Sequence, residues 1–371
     1  MRRPAVFRAA RAGSRDAELV APVSVAVAVS RWSRTASVFT GASVGVVAAL
    51  AAVPFVIGGP AEQPLITLLT FVAMASLWNL LAGFSGLTSF GQNAFIGVGA
   101  YALYLVAVHG VNPFAGILLA AIAAAVVSLP VSALVLRLSG GYFAVATLVV
   151  AAVFQIIATL SPSVGGTTGV SVPGLAGYSD VLREALTYWA TLIVAVASVA
   201  GVYLLVRRTF GLDARAVGSD PVAAASSGVR VGRIKLLAFV AAAGGTGAVG
   251  ALIALQTLYV EPTSVFSIQY SVDMLFMVLI GGIATIEGPI VGALVLFLLQ
   301  ETLSAYGAWY LVIVGGLAVL ATLIASRGLW GFVAERLGWS LLPVGYRVRG
   351  SGSGPDSGSG RGPAPPARAT P

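Results

Sequence analysis

Residues 114–136 read FAGILLAAIAAAVVSLPVSALVL, a stretch with no charged side chain that is closed by Arg137. An α-helix rises 1.5 Å per residue, so about 20 apolar residues match the hydrocarbon core of a bilayer. Lipid offers a backbone no hydrogen-bond partners, and a lone segment can satisfy its own only as a helix. Similar apolar runs occupy 38–57, 64–83, 93–109, 142–160, 186–206, 236–259, 268–286, 289–303 and 308–325. The run at 289–303 is short enough to be re-entrant or tilted, so eight to ten spans are expected. The alternating ten-residue strands of a membrane barrel are absent. The fold class is an all-α integral membrane protein, a polytopic bundle of about eight to ten transmembrane helices.

Composition agrees. Of 371 residues, 58% are apolar and 9% charged, against roughly 45–50% and about 25% in soluble domains. So little charge excludes an ordinary cytosolic enzyme, a disordered chain and a nucleic-acid-binding domain. The chain has no cysteine, one histidine (His109) and one lysine (Lys235). Disulfides, thiolate metal sites and a cysteine nucleophile are therefore excluded, and no metal, cofactor or catalytic residue is expected.

Loop charges orient the bundle. With ten crossings and a cytoplasmic N-terminus, 20 of the 21 cationic side chains fall inside and only Arg183 outside, as the positive-inside rule requires. Both termini are then cytoplasmic, and the net charge of +8 serves topology and attraction to anionic inner-leaflet lipid rather than nucleic acid. Tyr188–Trp189, Tyr259 and Trp309–Tyr310 fall near the outer ends, as an aromatic belt would. Residues 1–37 form a basic cytoplasmic extension. Within it LVAPVSVAVAV, 19–29, imitates a signal peptide, but Arg31 and Arg34 follow it, so the extension is read as uncleaved. The membrane-spanning core covers 38–331, and 332–371, rich in Gly, Ser, Pro and Arg from Pro343 onward, is expected to be a disordered cytoplasmic tail.

The longest hydrophilic stretch between inner span ends is RRTFGLDARAVGSDPVAAASSGVRVGRIK, 207–235. Asp220 before Pro221 marks a helix start, Ala223, Ala224 and Ala225 propagate it, and Gly228 closes it. A short, smooth, exposed helix bracketed by arginines suits docking into a groove on another protein; a connector lying on lipid would need large apolar residues to insert.

Here the resemblance becomes specific. DPVAAASSGVRVGRIKLLAF, 220–239, resembles the cytoplasmic coupling loop of the branched-chain amino-acid ABC transporter permeases, the LivH/LivM family, and more closely its LivM-type subunit. Four further stretches in order are similar to that family: NLLAGFSGLTSFGQNAFIGVGAY (79–101), RLSGGYFAVATL (137–148), VGGTTGV (164–170) and MLFMVLIGGIATIEGPIVGA (274–293). Gln92, Asp273 and Ala284 depart from the residues common there, which bears on substrate detail. The resemblance implies an importer with a second, LivH-like permease subunit, two ABC ATPase subunits and an extracytoplasmic solute-binding protein, in the inner membrane of a prokaryote. Asp220, Pro221, Ala223, Ala224 and Gly228 would then couple ATPase closure to the bundle, with Ala223 and Ala224 allowing the partner close approach. Branched-chain or related amino acids are the implied cargo, and urea or short amides the alternative.

Two breaks interrupt the apolar pattern. In GFSGLTSFGQN, 83–93, glycines and small hydroxyls such as Thr88 free the backbone from regular helix, and broken helices in transporters line solute paths. Gln92, Asn93 and, one turn upstream, Asn79 can bond an uncharged or zwitterionic small-molecule solute; the alternative is a cytoplasmic loop with a helix cap. Gly86 and Gly91 echo a phosphate loop, but Gln92 and Asn93 stand where Lys and Ser/Thr are needed, so no ATP hydrolysis is expected. The second break, GGIATIEGPIVG at 281–292, reads as a tight inner turn of a helical hairpin or as the mouth of the path. Asp273 is the one acid well inside a run, either an interhelical hydrogen-bond partner or part of a substrate or proton route. An ion-coupled secondary transporter would need a relay of which Asp273 is the sole candidate. Ala243, Gly247 and Ala251 recur every fourth residue, a small face for close helix packing. His109 falls at the outer surface, and the long outer loop 161–185 covers the pathway or meets the binding protein.

Overall fold

Asn112 caps the helix whose sequence speaks most plainly: its Oδ1 accepts the Phe114 N–H at 2.9 Å, and Pro113 occupies the first turn, where its missing N–H costs nothing. The computed structural model describes residues 28–30, 34–56, 62–174, 177–303, 312–313, 315–316, 328–331 and 347–349. The helices are α1 (Arg34–Val56), α2 (Gln63–Asn79), α3 (Gln92–Val108), α4 (Pro113–Val135), α5 (Gly141–Thr159), α6 (Asp180–Arg207), α7 (Thr209–Ser219), α8 (Pro221–Ser226), α9 (Val231–Thr257), α10 (Pro262–Val265), α11 (Ile268–Gly281) and α12 (Gly288–Leu303). Six helical segments among the described residues are long and apolar enough to cross a membrane, and three shorter apolar helices join them at Gly41–Phe55, Gln92–Val108 and Gly288–Leu303. The protein is an all-α polytopic membrane protein. Most of the run 308–325 lies outside the described residues.

The helices pack in two groups. In the first, α3, α4 and α9 touch almost backbone to backbone. A Cβ on Gly99 would overlap the Gly247 carbonyl, one on Gly250 the Ile96 carbonyl, and one on Gly247 the Ala124 methyl. The small face of α9 is thus buried, as expected. In the second group α2, α6, α11 and α12 bury larger side chains, including Trp78, Met74, Met277 and Leu296. An apolar groove of about 730 Å³ runs between α4, α6 and α9, lined by Leu118, Ile193, Gly201 and Gly244 among others.

One expected feature is corrected at α1. Pro54 interrupts this helix and supplies no N–H, so the Leu50 carbonyl four residues earlier has no helical partner. The Tyr188 hydroxyl donates to it at 2.8 Å, and the Trp189 indole N–H donates to the Ala51 carbonyl at 3.1 Å. Tyr188 is fully buried. It docks α6 on α1 instead of lining an aromatic belt at the lipid surface.

Contacts sort the loops onto two faces. On one, Val172 N–H donates to the Leu258 carbonyl, Asn112 bonds the Tyr178 hydroxyl, and the Tyr259 hydroxyl donates to the Thr168 carbonyl. There β2 (Val170–Ser171) pairs antiparallel with β3 (Tyr259–Val260). His109, exposed, ends α3 on this face. The other face carries both helix breaks, α7 and α8. The alternation of faces follows the order expected from the apolar runs.

A separate unit takes in residues from both chain ends. Its described part is an antiparallel ribbon of β1 (Ala28–Ser30) and β4 (Arg347–Arg349), with Ala28 opposite Arg349. Three residues of the tail expected to be structureless are therefore a strand. The remainder of that tail from 350, and of the basic extension before 28, lies outside the described residues.

Candidate coupling surface and helix breaks

Asp220 is an N-cap built as its sequence context demands. Its backbone is extended, and one carboxylate oxygen accepts the N–H groups of Val222 at 2.8 Å and Ala223 at 3.1 Å. Pro221 fills the first position of α8, and Gly228 follows with φ +86°, a conformation that a Cβ disfavours. Nothing lies within 4 Å of a Cβ on Gly228, so conformation alone asks for glycine there.

The structure corrects the sequence reading of this helix in two ways. Ala224 does not face outward: it is buried with Ala214, Val217 and Ile234 in a small core between α7, α8 and α9. The exposed surface is Ala223, Ala225 and Val222, and Val222 is 76% exposed. Secondly, the segment before α8 is a full helix, α7, which no cap or apolar run announced. Leu212, Ala214 and Val217 give it only a partial apolar face, and packing completes it.

The first break begins where α2 widens into a π turn over Leu80–Phe84 and ends in an irregular run to Gly91. π turns often mark functional sites within helices. Leu87 N–H donates back to the Leu81 carbonyl at 2.9 Å, and Ser85 Oγ to the Leu80 carbonyl at 3.2 Å. The Trp78 indole ties the far end by donating to the Ser89 carbonyl at 2.8 Å. The second break, 282–287, joins α11 to α12. These helices pack so closely that a Cβ on Gly292 would overlap the Met277 carbonyl. It is the expected hairpin turn.

Asn79 joins the breaks. Its Nδ2 donates to the Thr285 carbonyl at 2.6 Å and its Oδ1 accepts the Ala284 N–H at 2.9 Å. Both groups of the amide are used by backbone in the second break, where Ala284 adopts φ +60°. Asn93 is similarly occupied: it donates to the Phe266 carbonyl at 2.6 Å and accepts from the Ser271 hydroxyl at 3.1 Å. Gln92 is fully buried; its Oε1 accepts from Thr246 at 3.3 Å, and its Nε2 has no partner. Thr88 is exposed in the first break. Asp273 is buried and accepts from Gln269 Nε2 at 2.7 Å. That partner lies one turn away on the same helix, so this bond is not the interhelical one among the two alternatives read from the sequence. Among the described residues, no side-chain hydrogen bond joins any two of the five polar residues singled out in the sequence.

α7 lies against the first break. The Arg215 guanidinium sits 5.3 Å from the centre of the Phe84 ring, within cation–π range, and burial holds its pKa below the usual arginine value. Among the described residues no group of three or more His, Cys, Asp or Glu is placed to hold a metal.

A multi-span helical bundle, with paired helix breaks beside a capped, outward-facing helix on one face, has the form of a transport permease. The chain belongs to the family described as branched-chain amino acid transport system / permease component, whose model matches residues 61–323. It is 28% identical over 309 residues to the high-affinity branched-chain amino acid transport system permease protein LivM of Escherichia coli (strain K12), covering 74% of this chain and 71% of the relative. The LivM protein of Salmonella typhimurium is 28% identical over 278 residues, or 68% of this chain and 65% of that one. The L-arabinose ABC transporter permease protein AraH of Azospirillum brasilense is 31% identical over 128 residues, 33% of this chain and 38% of AraH. No solved structure matches this chain.

Proposed function

We propose that this chain is a permease subunit of an ABC importer that moves branched-chain amino acids across a prokaryotic inner membrane, with both termini and α8 in the cytoplasm. The observation that carries the reading is the outward-facing α8: a helix of six residues, too short to be stable alone, held by the Asp220 cap and the Ala224 core so that Val222 and Ala223 stand free. Such a surface suits a groove on an ATPase subunit. The chain supplies half of the path and receives the mechanical input through α8, and the ATPase partners supply hydrolysis. Two ATPases, a LivH-like permease and a solute-binding protein complete the assembly, and the 161–178 face meets the binding protein. Pairing of β1 with β4 supports termini on one side of the membrane.

The polar residues of the breaks divide by what they already bind. Asn79 spends its amide on backbone, Asn93 spends its own on the Phe266 carbonyl and the Ser271 hydroxyl, and both hold the shape of the path. Gln92, buried with an amide N–H unspent, and Thr88, exposed four residues earlier, are the residues that meet a zwitterionic solute; Asp273, which accepts a hydrogen bond from Gln269, lies toward the opposite face. The test is reconstitution of the chain with its co-purified partners in liposomes, followed by uptake of labelled leucine. Uptake that needs both ATP and the binding protein is the expected result; uptake by the chain alone would end the proposal.

A further inference from the structure

The contact between α7 and the first break holds no side chain on either backbone at its centre. A Cβ placed on Gly86, whose φ is +67°, would lie 2.9 Å from Gly218 Cα; one on Gly218 would lie 3.0 Å from the Phe84 carbonyl oxygen and 3.2 Å from Gly86 N. Two glycines thus bring the last turn of α7 against the foot of α2. Side chains between two elements can absorb a displacement by changing rotamer; touching backbones cannot. Arg215 adds a second hold on Phe84, whose ring is fully buried with Leu80, Val202, Val206 and Ile286.

Both sides of this contact are tied onward. α7 and α8 are separated only by Asp220 and share the core of Ala214, Val217 and Ala224, so displacement of α8 carries α7 with it. On the far side, the π turn is the point where the α2 ladder is weakest, and Asn79 immediately above it grips Ala284 and Thr285. We propose that Gly86, Gly218 and Arg215 are positioning residues for transport: they form the joint through which motion of α8 reaches both helix breaks. This rests on the reading of α8 as the ATPase contact, and it adds which part of the bundle is moved.

The experiment uses the assembled complex in liposomes and reads amino-acid uptake and ATP hydrolysis side by side. Gly218→Val is compared with Gly45→Val in α1, since a Cβ on Gly45 meets nothing within 4 Å. Gly218→Val is expected to lower uptake per ATP about tenfold with ATPase subunits still bound and hydrolysing, a typical size for a coupling effect; Gly45→Val is expected to leave the ratio unchanged. Should Gly218→Val fail to assemble, Arg215→Ala, which adds no bulk, is expected to lower the same ratio severalfold, with partial recovery in Arg215→Lys. Because the chain has no cysteine, spin labels at Thr88→Cys and Val222→Cys, both exposed, report the joint directly. Their separation is expected to stay constant between nucleotide-free and ATP-trapped states, while that from Val222→Cys to Leu138→Cys shifts. Normal uptake per ATP in Gly218→Val or, where it does not assemble, in Arg215→Ala would overturn the joint, as would a separation from 88 to 222 that changes as much as that from 138 to 222. Absence of ATP-driven uptake in the wild-type complex would instead overturn the function on which the joint rests.

Discussion

The group α3, α4 and α9 and the group α2, α6, α11 and α12 bury apolar surface with different shares of glycine contact and side-chain packing. In the first, glycine and alanine bring backbones into contact along uninterrupted helices, with Gly99, Gly247 and Gly250 at the crossings. In the second, bulky side chains fill the space, and helix regularity fails at Leu80–Phe84 and at 282–287. Membrane helices have no water to expel from one another, so close van der Waals contact is what holds them. The first group therefore behaves as a frame. The second is open to rearrangement, since its breaks leave the ladder incomplete and are closed by a few bonds from side chains such as Trp78, Ser85, Asn79 and Thr285. The backbone-contact device recurs in the second group where α11 meets α12 at Gly281 and Gly292, and again at Gly86 and Gly218, where α7 meets the break.

Substitutions grade this contrast. The largest loss is expected for Gly250→Leu: the obstacle is the Ile96 backbone, which cannot rotate away, so destabilisation should exceed the usual overpacking cost of about 1–3 kcal/mol and abolish a monodisperse bundle in detergent, read by size-exclusion chromatography. Asn79→Leu comes next. It strands the Ala284 N–H and the Thr285 carbonyl, at about 1–3 kcal/mol for each orphaned group, lowering the thermal midpoint and speeding hydrogen exchange at 282–287 while α3 and α9 stay protected. Asp220→Ala removes the cap of α8 at a cost of about 1 kcal/mol, expected as faster exchange confined to 222–226 with an unchanged thermal midpoint. Tyr188→Phe leaves the Leu50 carbonyl unpaired beside Pro54; polar contacts between membrane helices average about 0.6 kcal/mol, so a small drop in midpoint is expected. Gly232→Ala, on open surface, should fall within about 0.5 kcal/mol of wild type. Were Gly250→Leu no worse than Tyr188→Phe, the distinction between a rigid frame and a movable group would fail.

Ala224 shows how far a one-dimensional reading reaches. The sequence placed α8 correctly, because Asp–Pro before a run of alanines is a local instruction carried by hydrogen bonds between neighbours. It could not tell which alanine faces out, since three consecutive alanines differ only in the neighbours that fold against them. As Ala224 is buried, a carboxylate there would disrupt the core shared with α7, and Ala223→Glu is the substitution that probes docking. α7 was missed for the related reason that its apolar face is short and its stability is borrowed from Phe84 and the break. An amide in an apolar run is conspicuous, which is why Asn79 and Asn93 read as solute contacts in the sequence; their hydrogen-bond partners stand about 170 to 206 residues away and leave no trace in local pattern. The hairpin turn at 282–287, by contrast, was visible in GGIATIEGP, as glycine and proline act on their own backbone.

From residue order alone came the membrane as solvent, the helical spans, the alternation of loop faces, the cap of α8 and the family resemblance. All of these follow from apolar length, charge placement and short-range backbone chemistry. Folding in three dimensions alone decided that Tyr188 repairs the carbonyl orphaned by Pro54, that Asn79 clasps one break to the other, and that Gly86 meets Gly218. Each depends on a partner far along the chain, and distance along a sequence carries no information about distance in space until the helices have packed.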